Sequence, residues 1–78
     1  MPYIDTAARL RAEMSPDTSG ELNFAITSLL VDYLSRKGQS YSRMNDCLGA
    51  LEGAKLELYR RVIAPFEDEK KLLNGDCY

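Results

Sequence analysis

The chain has 78 residues, 45% of them hydrophobic, and a formal net charge of −2. That is enough for one small domain with a marginal core. It excludes three classes: general phosphate-backbone binding, since the charge is slightly acidic and interspersed; a membrane span, since no apolar run nears ~20 residues; and a zinc site, since there are two cysteines and no histidine.

In chain order, residues 1–18 form an N-terminal arm. Met1 to Ile4 lead in, and Asp5 or Thr6 caps a short helix over "AARLRAEM". Ser15-Pro16 ends it, because proline disfavours helical backbone in the residue before it. The loop "SPDTSG" follows. Thr18 and Glu21 then fit a capping box, hydroxyl first and carboxylate three residues on. A second helix runs over 19–36 and stops at Gly38, a C-terminal glycine. "GQSYS" is a tight link in which Ser40 or Ser42 caps a third helix, over 42–64. Pro65 predicts a kink or a break, and "FEDEKKLL" continues as a helical extension over 66–73 until Asn74-Gly75. No stretch alternates as a strand does. The expectation is an all-α single domain, a bundle of three helices plus a kinked C-terminal extension.

Small folds supplement a weak core with disulfides, metal or oligomerisation. No apolar run of a signal peptide lies within residues 1–20, and Cys47 and Cys77 read as reduced cytosolic thiols. Self-association into a homo-oligomer is then the expected supplement. The helical projection adds to this. Leu22, Ala25, Ile26, Leu29, Leu30, Tyr33 and Leu34 share one broad apolar face of the second helix. Phe24 and Val31 land on the opposite side, where either the first helix or another subunit covers them. On the third helix, Met44, Cys47, Leu48, Leu51, Leu58, Tyr59 and Val62 make the core face. Gly49 and Gly53 lie elsewhere. Each costs ~1 kcal/mol relative to alanine in a helix interior, which predicts a use: close packing against a backbone or a flat ligand. Phe24, Val31, Gly49 and Gly53 are thus the expected interface residues. Lys55 projects into the middle of the core face. It either snorkels to water at the bundle edge or points into a pocket, towards an anionic ligand or a buried carboxylate.

Catalysis finds little support. A magnesium cradle such as helical-bundle nucleoside-triphosphate pyrophosphohydrolases use needs paired carboxylates. Here Glu52, Glu57 and Glu67 are followed three residues on by Lys55, Arg60 and Lys70, which suits intrahelical ion pairs. Nucleophilic chemistry lacks a histidine base, and without strands there is no phosphate loop. The expectation is a non-enzyme without cofactor or metal.

Three blocks, "GELNFAIT", "GALEGAKLELYRRVIAPFEDEK" and "NGDCY", agree in order and spacing with a family of short uncharacterised proteins common in phages and prophages. The chain resembles that family over residues 19–78. The resemblance implies a phage origin and a shared site, but no reaction. Its polar positions here are Asn23, Lys55, Tyr59, Arg60 and Arg61. By analogy of context, small phage proteins that block bacterial immunity bind a nucleotide messenger. Such a ligand needs cations for phosphate, an aromatic for stacking and an amide for base edges. Lys55, Arg60 or Arg61, Tyr59 or Tyr41, and Asn23 or Asn45 supply those types at a subunit interface. The expected function is therefore sequestration of a small anionic nucleotide in the host cytoplasm. The alternatives are a helical module docking on a host protein and a structural or regulatory phage component.

Overall fold

The computed structural model describes residues 5–7, 9 and 15–78. Among these residues there are two long helices and no strand. Helix α1 is Ser19–Lys37, and α2 covers residues 41–74 in three consecutive parts. Those parts are α-helical over Tyr41–Leu58, π-helical over Tyr59–Ile63 and α-helical again over Ala64–Asn74. The all-α class stands, and the count of three helices plus an extension is corrected to two. The segment after Pro65 is no separate element, because α2 passes through the proline. Of the expected first helix, Thr6, Ala7 and Arg9 are helical, with the Arg9 N–H donating to the Asp5 carbonyl at 2.9 Å. The rest of it lies outside the described residues.

Local chemistry accounts for each boundary. Thr18 is extended, and its hydroxyl accepts the Glu21 N–H at 3.1 Å, the forward half of the capping box. The return half is shifted by one residue: the Glu21 carboxylate accepts from the N–H of Asp17, not of Thr18, at 3.2 Å. Glu21 is only 3% exposed. At the far end, Gly38 turns the chain with φ 91°, and its N–H donates to Leu34. A left-handed φ of this kind favours glycine. Ser40, the first of the two expected caps, accepts the Arg43 N–H at 3.1 Å, so α2 begins at Tyr41. The Arg43 guanidinium then reaches back and donates to the carbonyls of Lys37 and Gly38. It thereby caps α1, whose last carbonyls have no helical donor and carry the negative end of the dipole. Arg43→Ala is expected to lower stability by about 1 kcal/mol. Urea denaturation measures it, and Arg43→Lys is expected to recover part of it, because both contacts come from a single guanidinium nitrogen and an ammonium keeps the charge.

Pro65 explains the π-turn. A proline inside an α-helix has no N–H to donate and drives its ring against the carbonyl four residues back, here that of Arg61. The turn upstream widens instead, and the Ala64 N–H donates to Tyr59, five residues back. The Arg60 carbonyl is left without its α-helical donor, Ala64, which is engaged elsewhere. It also lacks its π-helical donor, since position 65 has no N–H. The helix thus runs on without a break, at the expense of a main-chain bond.

The chain divides into two compact units, Met1–Met44 and Asn45–Tyr78. In the first unit, Phe24 is half-buried and the Arg9 guanidinium stands over its ring, 5.9 Å from the centroid. The N-terminal arm thus reaches Phe24, as the intramolecular alternative requires, while Val31 is exposed. The expected inner face of α1 is partly open: Leu22, Ile26 and Leu29 are exposed, Leu29 to 68%, while Ala25, Leu30, Tyr33 and Leu34 are half-buried. In the second unit, the expected core face of α2 is also mostly open. Cys47, at 7% exposure, is the one buried apolar side chain among the described residues, and Leu48 is 66% exposed. Apolar periodicity identified these faces, but periodicity does not say whether the same chain supplies the cover. Cys47 and Cys77 are free thiols.

Candidate functional site

Within the second unit the chain folds its last residues into a groove of about 620 Å³. One wall is α2, with Tyr59, Phe66 and Lys70; the other is the segment from Gly75 to Tyr78. Gly75, at φ 87°, makes the turn, and its N–H donates to the Lys71 carbonyl at 2.9 Å. Asp76 then holds the segment twice. Its carboxylate pairs with Lys71 at 3.4 Å and accepts the Tyr78 N–H at 3.0 Å. On the helical wall, the Lys70 ammonium lies over the Phe66 ring, 5.4 Å from its centroid.

Tyr59 is the titratable group that the groove perturbs. A hydrogen bond to the Glu67 side chain, then the negative charge of Glu67, then desolvation and Asp68, raise its phenol above the usual 10.0. The sign follows from linkage. A raised pKa in the folded chain favours the protonated phenol, so its contribution is fully present below the unfolded value and is lost as pH climbs through the folded one. Tyrosine-resolved NMR titration of Tyr59 is expected to place its midpoint above 10 and to move it back down in Glu67→Gln. An unchanged midpoint in that variant would mean that Glu67 is not the cause.

The residues expected from the sequence to bind a ligand are scattered between the units. Asn23 and Tyr41 belong to the first, both exposed, and Asn23 accepts from the Thr27 hydroxyl at 3.1 Å. Asn45, Lys55, Tyr59, Arg60 and Arg61 belong to the second. Lys55 is exposed, its side chain 70% so, with its ammonium 3.2 Å from Glu52, itself exposed. Of the alternatives for Lys55, the carboxylate pair is formed, but in water, where such pairs contribute only ~0–1 kcal/mol. Arg60 and Arg61 both reach Glu57, at 3.3 and 2.7 Å. Of the seven, Tyr59 alone lines the groove. A Cβ built on Gly49 or Gly53 meets nothing within 4 Å, so no part of the described chain uses the room those glycines leave.

Phe66, Lys70, Lys71 and Tyr78 line the groove without having been expected there. The signal was present in "NGDCY": a left-handed glycine followed by an aspartate predicts a return turn with a local side-chain cap. Among the described residues, no three Cys, Asp or Glu side chains gather so as to hold a metal ion. No described helix is long and apolar enough to cross a membrane.

Comparison with known proteins finds no match among curated proteins or solved structures. One family model does match, and it spans residues 1–77, the N-terminal arm included. The chain therefore belongs to the family described as Domain of unknown function (DUF6899).

Proposed function

We propose that the chain is a helical protein-interaction module that works by covering its apolar helix faces with another chain, a copy of itself before any host protein. One observation carries this reading: α1 and α2 expose long apolar side chains, while Cys47 is the sole buried one among the described residues. Burying such surface is worth about 25 cal/mol per Å², so each face is a source of binding energy that the single chain leaves unused. A binding role in a host cytoplasm, without catalysis, is part of this proposal. Hydrogen–deuterium exchange at increasing protein concentration tests the reading. Amides of α1 and α2 are expected to gain protection as concentration rises. Exchange independent of concentration would contradict it.

Nucleotide binding is the second reading, supported by the composition of the groove. Tyr59 and Phe66 offer stacking faces, Lys70 and Lys71 cations, and Asn74 an amide. It ranks second because Glu67, Asp68 and Asp76 line the same groove and Lys71 is already paired with Asp76. A thermal-shift screen with cyclic dinucleotides and ADP-ribose tests it. A rise in Tm that is lost in Lys70→Ala supports it, and no rise with any of them counts against it.

A further inference from the structure

Along α2, Leu48, Leu51, Lys55, Leu58 and Val62 are spaced three, four, three and four residues apart. That is the a/d alternation of a coiled-coil seam. The π-turn holds one residue more than an α turn, so Phe66 and not Pro65 continues the stripe after Val62. Leu48, Leu51, Leu58, Val62 and Phe66 each expose 41–66% of their surface. We propose that this stripe is the seam of an antiparallel two-stranded contact with a second copy of the chain, in which Lys55 fixes the number and direction of the strands.

The seam rests on the interaction reading above, and three features select its occupant. The first is area. The five apolar side chains expose together roughly 500 Å², and the stems of Lys55, Tyr59 and Arg61 beside them carry this towards the ~800 Å² that each partner buries in a standard dimer. The second is charge. Lys55 occupies an a position, where a lone lysine sets register and strand number at some loss of stability. Its ammonium is held by Glu52 at 3.2 Å, off the centre of the stripe, so two helices can close while the charge stays in water. A third or fourth strand would enclose it. The third is direction. A parallel pair stacks like positions on one another and sets Lys55 against the Lys55 of the partner subunit, whereas an antiparallel pair sets each lysine against a leucine layer.

Sedimentation velocity on the full chain and three variants tests the seam. Wild type is expected to be a dimer. Leu51→Asp is expected to raise the dimer Kd by at least about a hundredfold with unchanged helical circular dichroism, because Leu51 already faces solvent in the monomer. Lys55→Leu removes the charge from the seam and is expected to lower the Kd about tenfold or more and to admit species larger than a dimer. This second variant keeps the test decisive if Leu51→Asp unfolds. Leu29→Asp, on the α1 face outside the seam, is expected to weaken the dimer far less than Leu51→Asp. A dimer abolished by Leu29→Asp but untouched by Leu51→Asp and Lys55→Leu would overturn the seam and leave self-association standing. A wild-type monomer would overturn both.

Discussion

Replacing Gly49 and Gly53 together by alanine is expected to stabilise the chain by about 2 kcal/mol, near 1 kcal/mol for each helical glycine. The gain has two sources, a less flexible unfolded chain and the absence of any clash in the folded one. A Cβ at either position meets nothing within 4 Å. The effect is expected in the midpoint of urea denaturation with no change in its slope, since the surface exposed on unfolding stays the same. On the helix the two glycines point away from the Leu48–Val62 stripe, so the mass in solution should not move. A double variant that is less stable, or that no longer associates, would show that a second backbone rests on the glycine face after all. It would then place the interface on that side of α2.

Pro65→Ala is the other substitution with a large expected effect, a stabilisation of about 1–3 kcal/mol. The full penalty of a proline inside a helix is ~3 kcal/mol, from a missing donor and a ring clash. The π-turn at Tyr59–Ile63 already relieves the clash, so the lower part of the range is the portion due to the missing donor. Alanine restores an N–H within reach of the Arg60 and Arg61 carbonyls. Amide exchange should then slow across 59–66, and urea denaturation should shift upward. A neutral or destabilising result would mean that the widened turn is favoured by something other than the proline.

The two helices, their caps and the all-α class were legible in the sequence because each rests on local chemistry. Thr18 and Glu21, Gly38 and Ser40 act on their own backbone neighbourhood, and no tertiary information is needed to place them. Pro65 was legible as a disturbance but not as a π-turn. A helix can meet a proline by kinking, breaking or widening, and the choice depends on the whole helix. The apolar faces were found correctly as faces and wrongly as a closed core. The periodicity of Leu22, Ile26 and Leu29 is the same whether the cover comes from this chain or another. For Lys55 the alternative that reaches water is the one seen, with its ammonium paired to the exposed Glu52. The groove is not legible from periodicity, because the wall that "NGDCY" builds depends on the turn at Gly75. That turn is what forms it, with Asp76 pairing to Lys71 and accepting the Tyr78 N–H.

The claim that the open helix faces are completed by another chain is tested most directly by the mass of the purified protein in solution. Light scattering coupled to size-exclusion chromatography, from micromolar to roughly 100 µM, brackets the range in which a seam of this size closes. A concentration-dependent species of twice the 8.8 kDa chain mass is expected. A single species of 8.8 kDa across the whole range would contradict it.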